Sequence, residues 1–343
     1  MDRRKFIFNT SLAAASIPLL SAFIKANEPT FQIFQNLTLP NALKKGDNIG
    51  VIAPGGAIFN KSAIEKCKIK LGAVGLNMVA GRTLTSQHGH LSDTDENRAK
   101  EIMEMFTNPN IKGILAMRGG SGCARVLEFL DYDVIRQNCK PFIGMSDITA
   151  LLTAFYTKAK MTSFHGPVGY STWTDFTKKY FRETLFDKKE TEMLAPDHSD
   201  FYAIRGGLAQ GELIGGNLTV FSQLIGTPYL PDMGGKLLFM EDINEEPYRI
   251  DRMLMQLKLA GILSKVNGII IGEFSKCAPE EPEKSLSLKQ VLKDHLSNLN
   301  IPVFYGGKFG HIKDKWTLPI GIKAEMNANI GSLEILEPCV LID

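Results

Sequence analysis

Residues 141–149 read Pro141-Phe142-Ile143-Gly144-Met145-Ser146-Asp147-Ile148-Thr149. A short apolar run breaks at a serine two residues after a glycine, and helix-compatible spacing follows from Asp147 to Lys158. The same succession of apolar strand, glycine-bearing turn and helix occurs upstream. Ile111 to Met117 leads into Arg118-Gly119-Gly120-Ser121-Gly122 and a helix to about Leu130. Asn48 to Ala53 ends in Pro54-Gly55-Gly56, and a helix pattern runs from about Lys61 to Val74. Thr94 opens a further helix through Phe106, with acids in its first turn where the helix dipole favours them. Strands that read as unbroken apolar runs between helices predict an α/β fold with a parallel sheet covered on both faces. Sites on such sheets lie at the carboxyl ends of the strands.

Working outward, the rhythm changes near residues 188–210, which are polar and turn-rich. The chain divides there into a parallel-sheet α/β domain, residues 28–195, and a smaller β-rich domain, residues 196–343. The second part shows shorter strands: Gly211–Ile214, Lys236–Met240, Gly268–Glu273 and several after Trp316. One amphipathic helix carries Ile250, Met253, Leu254 and Leu257 at helical spacing. At about 100–200 residues per domain, 343 residues suit this division.

Hydrophobic residues make up 44% and charged residues 22%, a globular balance that excludes disorder and a polytopic membrane protein. Residues 1–27 hold Arg3, Arg4, Lys5 and Lys25 against Asp2, so the net +2 of the chain leaves −1 on the remainder. That body lacks the basic field of a nucleic-acid-binding protein. Within residues 1–27, Arg3-Arg4-Lys5-Phe6-Ile7 precedes a 14-residue apolar run, Ser11 to Ile24, too short to span a bilayer comfortably. The pattern resembles an export signal of the twin-arginine type and predicts a periplasmic protein, with an uncleaved amphipathic anchor, or a cytoplasmic location, as the alternative. The five cysteines, Cys67, Cys123, Cys139, Cys277 and Cys339, are odd in number and form no C-x-x-C pair. Most read as buried small hydrophobes, and neither a disulfide framework nor a zinc site is expected.

Chemistry has several candidate seats. Ser146, between strand and helix, has the setting of a nucleophile elbow, where a sharp turn lifts the hydroxyl and the helix start aims backbone N–H groups at one point. The bland reading is a serine N-cap, and Ile148 stands where G-x-S-x-G has its second glycine. A serine nucleophile needs a base. His198 and His295 read as solvated, and His88 and His90 sit in a polar loop. His165, in Phe-His-Gly-Pro, and His311, after Gly306-Gly307-Lys308-Phe309-Gly310, remain. The base in turn needs an acid to orient it. Glu241 ends the apolar strand Lys236–Met240, whereas the crowd of Glu241, Asp242, Glu245 and Glu246 reads as a solvated turn able to attract a cation. No His or Cys cluster accompanies it, so no metal and no cofactor is expected. The Gly119–Gly122 turn suits either a phosphate or an oxyanion, but the lysine of a P-loop is missing.

Together these segments resemble the LD-carboxypeptidases of bacterial cell-wall recycling, a family that includes the microcin C self-immunity serine peptidases. The resemblance spans roughly Lys45 to Pro338. It rests on ordered blocks: Ile52-Ala-Pro-Gly55, Met117-Arg-Gly-Gly-Ser-Gly122, Ile143-Gly-Met-Ser-Asp-Ile-Thr149, Phe164-His-Gly-Pro167, Gly215-Gly-Asn-Leu218, Ile225-Gly-Thr-Pro228, the run from Phe239 to Leu254, Phe309-Gly-His311 and Thr317-Leu-Pro-Ile-Gly321. It implies a Ser–His–Glu triad falling on Ser146, His311 and Glu241, with His165 as the second choice of base. It also implies an amidotransferase-like parallel-sheet N-terminal domain with a smaller β-rich C-terminal domain, oxyanion donors at the backbone N–H groups of Asp147 and Gly120, and a homodimer. Two positions depart from the family pattern: Ser121 stands where an aromatic residue is common, and Gly55 where serine is usual.

The activity so implied is hydrolysis of the amide between an L-configured centre and a terminal D-amino acid, as in a murein tetrapeptide, with Arg118 as a candidate for the substrate carboxylate. The alternatives are the same triad acting on peptidyl acyl-nucleotides or other toxic amides, and an inactive exported binding protein. A glutamine amidotransferase would want cysteine in place of Ser146.

Overall fold

Five strands lie in the first half: β1 (Asn48–Ile52), β2 (Asn77–Ala80), β3 (Gly113–Ala116), β4 (Phe142–Gly144) and β5 (Phe164–His165). A second set comprises β6 (Thr191–Met193), β7 (Tyr202–Arg205), β8 (Leu208–Asn217), β9 (Leu237–Ile243), β10 (Gly268–Ser275), β11 (Val303–Tyr305), β12 (Leu318–Pro319), β13 (Lys323–Asn327) and β14 (Ser332–Ile335). The helices are α1 (Ser62–Ala73), α2 (Asp95–Thr107), α3 (Tyr132–Gln137), α4 (Thr149–Ala154), α5 (Asp175–Leu185), α6 (Leu218–Gln223), α7 (Pro247–Leu259) and α8 (Leu288–Leu296). The computed structural model describes residues 37–186, 191–193 and 201–342. The segment read as an export signal, residues 1–27, and His198 lie outside them. Residues 36–343 form one compact unit. Among the described residues no helix is long and apolar enough to cross a membrane.

The first sheet has the order β12-β5-β4-β3-β1-β2. Its five N-terminal strands are mutually parallel, as the alternation of strand and helix predicts. All four residues of β3 are buried, because helices cover both faces. In α2, the Thr94 hydroxyl accepts from Asn97 N at 3.3 Å, and Ala99, Ile102 and Phe106 turn inward. Phe106 meets Phe155 edge-on at 5.5 Å, and Phe155 meets Phe142 at 4.9 Å. Each buried ring contributes about 1.5–3 kcal/mol of transfer free energy. The predicted helix to Leu130 is a 3-10 turn, Cys123–Phe129, and the helix after Ser146 passes from a 3-10 turn through α4 into a π-turn, Phe155–Ala159.

The second sheet has the order β6-β14-β13-β8-β9-β10-β11-β7. Its centre, β8 to β11, is parallel, and its flanks are antiparallel. Its main strands are not shorter than those of the first sheet: β8 has 10 residues and β10 has 8. The apolar run Gly211–Ile214 marks only part of β8; the half-exposed N-terminal end continues as a ladder with β13 and carries no apolar signal. One strand crosses back. β12 pairs antiparallel with β5 of the first sheet, Leu318 opposite His165.

Candidate active site

Ser146 stands just after β4 with φ +65, in the left-handed region that costs an L-residue about 1–2 kcal/mol. Its side chain therefore projects from a strained turn at the carboxyl end of the sheet. The glycine-rich turn after β3 packs directly on this elbow. A Cβ on Gly119 would lie 2.7 Å from Asp147 N and 3.1 Å from Ser146 Cβ, so any side chain there would drive the two turns apart. The Asp147 carboxylate locks the arrangement by accepting Cys123 N at 2.8 Å. Gly120 is exposed beside the elbow, and the half-buried Arg118 lies over the Tyr170 ring at 5.8 Å while Nη1 donates to Ala57 O at 3.3 Å.

Glu241 lies near the end of β9, and its side chain is fully buried. Its Oε2 meets Nδ1 of His311 at 2.8 Å. A carboxylate acceptor fixes the proton on Nδ1, which leaves Nε2 as the free basic nitrogen. The preceding residue makes this contact possible. Gly310 has φ +97, and a Cβ there would fall 2.6 Å from Oε2 of Glu241. The histidine loop is tied down on several sides. Ser275 Oγ donates to His311 O at 3.1 Å, Trp316 N to Lys308 O at 2.6 Å, and Lys315 N to Thr177 Oγ1 of α5 at 3.1 Å. The buried Lys315 ammonium turns back to Ile312 O, and desolvation pushes its pKa down to about 8.

The elbow and the Glu–His pair converge on His165. This ring is 1% exposed. In the ladder it stands opposite Gly144, two residues before Ser146. Its ring packs edge-on against Phe239 at 5.3 Å and Phe309 at 6.2 Å, two residues before Glu241 and His311 respectively. The segments that carry the sequence-selected Glu241 and His311 thus abut one imidazole, and the segment that carries Ser146 pairs with the backbone of the same residue. Burial lowers the pKa of His165 to about 4, with a smaller opposing effect of Glu241, so it is neutral near pH 7. Asn217, opposite Glu241 in the β8–β9 ladder, donates its backbone N–H to Thr149 Oγ1 of α4 at 3.0 Å and ties the second sheet to the elbow helix.

Two sequence expectations are corrected. Asp242 is not part of a solvated acidic turn. As the neighbour of Glu241 on a strand it points to the opposite face, where it accepts Asn217 Nδ2, Thr219 N and Thr219 Oγ1, each at 2.9 Å. Burial, with a lesser push from Glu241, raises its pKa to about 6. His295 is not solvated either: it is buried, and its Nε2 meets Asp251 Oδ1 of α7 at 2.6 Å. The charged residues of its helix lie on one face, and Val291, Leu292, His295 and Leu296 form a buried stripe. His88 and His90 are exposed, as expected. The roles of Asn217 and of the Asp147 carboxylate escaped sequence reasoning. The only signal for Asn217 was its N-cap spacing to Val220, whose N–H it accepts at 3.2 Å.

This two-sheet α/β chain has clear counterparts among known proteins. Residues 49–166 match the LD-carboxypeptidase N-terminal domain, and residues 210–326 the LD-carboxypeptidase C-terminal domain. The probable murein peptide carboxypeptidase of Bacillus subtilis is 41% identical over 296 residues, 84% of this chain and 91% of that protein. The crystal structure of muramoyltetrapeptide carboxypeptidase from Oxalobacter formigenes superposes with a TM-score of 0.75 at 34% identity, covering 84% of this chain and 98% of the other. That of the microcin C7 self-immunity protein MccF in complex with glutamyl sulfamoyl guanosine does so with a TM-score of 0.81 at 26% identity, covering 89% and 100%. The chain belongs to the LD-carboxypeptidase family.

Proposed function

We propose that this protein is a serine carboxypeptidase that releases a terminal D-amino acid from an L-configured centre of murein peptides. The observation that carries the mechanism is the 2.8 Å contact of His311 Nδ1 with the buried Glu241, formed against the same hub as the Ser146 elbow. Ser146 Oγ attacks the scissile carbonyl while His311 Nε2 takes its proton. The tetrahedral oxyanion is held by the N–H groups of Asp147 and Gly120, each worth about 3–4 kcal/mol in such a site. His311 returns the proton to the departing amine. Water, deprotonated by the same nitrogen, then opens the acyl-enzyme and restores Ser146. Glu241 keeps the imidazole in the right tautomer and offsets its positive charge. Arg118, beside Gly120 at the turn, receives the substrate's free carboxylate.

The test is Ser146→Ala with purified murein tetrapeptide. D-Ala release is expected to fall by at least about 10³-fold, and substantial retained release rejects the mechanism. A second reading, hydrolysis of acyl-sulfamoyl nucleotides, is favoured by the close superposition on MccF. Faster turnover of such a compound than of tetrapeptide would select it. Arg3 and Arg4 place the reaction outside the inner membrane in this reading, which a fusion to a periplasm-dependent reporter checks: loss of signal is expected for Arg3→Lys with Arg4→Lys. The assembly is taken as a homodimer, to be read by sedimentation.

A further inference from the structure

His165 is a buried side chain with an unmet need. Both of its ring nitrogens are buried and have no hydrogen-bond partner. A neutral imidazole carries one donor and one acceptor, and leaving such a group buried and unpaired is destabilising. The triad acid has the complementary deficit. Oε2 of Glu241 is engaged by His311, but Oε1 is buried and has no partner either. An ionised carboxylate fixed through one oxygen alone is free to rotate about its terminal bond. The two deficits face one region. His165 packs on Phe239, and Phe239 and Glu241 share a face of β9 because they are two residues apart. The charge of Glu241 is also felt at His165.

We propose that His165 is a positioning residue for the triad: its ring N–H serves Oε1 of Glu241, directly or across one buried water, and so fixes the carboxylate plane that orients His311. The packing supplies the reason this residue is a histidine. A phenylalanine would fill the pocket between Phe239 and Phe309 equally well and would bring no donor. The backbone of the same residue pairs with Gly144, so His165 links the strand that leads into the Ser146 turn to the Glu–His pair. The inference rests on the triad reading above.

The experiment compares His165→Phe, His165→Asn and His165→Gln in the full chain, with Ser146→Ala in parallel. If the imidazole only fills space, Phe is the best replacement; if it donates, the better of the two amides is. The expected result is that His165→Phe melts close to the wild type yet loses about 10–100-fold in kcat with KM little changed, as for a misplaced catalytic group. The better amide variant is expected to turn over faster than Phe despite a lower melting temperature. Wild-type kcat in His165→Phe, or a Phe variant faster than both amides, overturns the proposal. An inactive Ser146→Ala beside an unaffected His165→Phe rejects this proposal alone, whereas an active Ser146→Ala rejects the triad. Should the variants not fold, nitrogen NMR of ¹⁵N-histidine wild type and Glu241→Gln decides. A His165 ring N–H whose resonance moves with Glu241→Gln supports the proposal, and one that does not move overturns it.

Discussion

Replacing Gly310 by alanine tests the histidine–carboxylate geometry without touching any reacting group. The added methyl would lie 2.6 Å from Oε2 of Glu241 and 2.8 Å from its Cβ and Cγ. Carbon atoms in contact prefer about 3.5–4.0 Å, so roughly 0.7–1.2 Å of room is missing. Glu241 has nowhere to retreat, since its side chain is fully buried and its strand is central in the sheet. The His311 loop must therefore move away from the carboxylate. A misplacement near 1 Å costs about 10²-fold in rate. Gly310→Ala is thus expected to lower kcat for D-Ala release by about two orders of magnitude, close to 2.7 kcal/mol, with KM little changed. A separate cost, about 1–2 kcal/mol of folding stability, comes from forcing an L-residue to φ +97. Gly46→Ala isolates that second cost: Gly46 has φ +92, but nothing lies within 4 Å of its added methyl. It is expected to lose similar stability and to keep full activity. The assays are steady-state kinetics and thermal melting of both variants. Wild-type kcat in Gly310→Ala would refute the argument that this contact sets the position of the imidazole.

Three further outcomes are expected. Burial lowers the pKa of Lys315 from 10.5 to about 8, so between these values the folded chain binds fewer protons than the unfolded one. Stability should rise with pH across that window by up to about 3 kcal/mol, and urea titrations of Lys315→Met should lack the rise; parallel curves for the two proteins would contradict this. Asp242 acts oppositely in acid: its pKa is raised from 3.8 to about 6, so the folded chain binds more protons there. Its contribution should fall by up to about 3 kcal/mol as pH climbs through that window, a slope expected to vanish in Asp242→Asn. Gly55→Ser restores the usual family residue but places Cβ 2.6 Å from Gly119 O, 2.9 Å from Cys123 Sγ and 3.1 Å from Asp147 Oδ2. It is expected to shift the glycine turn and reduce kcat/KM, and undiminished activity would show that the turn yields.

Much of this was legible before any coordinates, for physical reasons. Buried parallel strands must be apolar throughout, so β1, β3 and β4 announce themselves. The exposed edge strand β2 buries none of its four residues and has no such signature. The serine turn and the glutamate at the end of its apolar strand were readable because strand ends hold the sites of this architecture. What could not be read was which side of a strand a neighbour faces once polar residues are buried as pairs. Asp242 looked like one more surface acid, and His295 like one more surface histidine, because their partners Asn217 and Asp251 are 25 and 44 residues distant along the chain. His165 looked like a rival base. Only its place between Gly144, Phe239 and Phe309 shows it to be interior.

The return of β12 to the first sheet has a consequence for biosynthesis. The strand that closes this sheet beside β5 comes from residues 318 and 319, more than 150 positions after its partner. As the polypeptide leaves the ribosome, the serine-bearing layer waits with an open edge until residues 318 and 319 have emerged, after β6 to β11 of the second sheet. The histidine loop arrives immediately ahead of that closing strand. With the proposed triad, hydrolytic competence and completion of the first layer coincide, and a nascent chain stalled before them would be chemically silent.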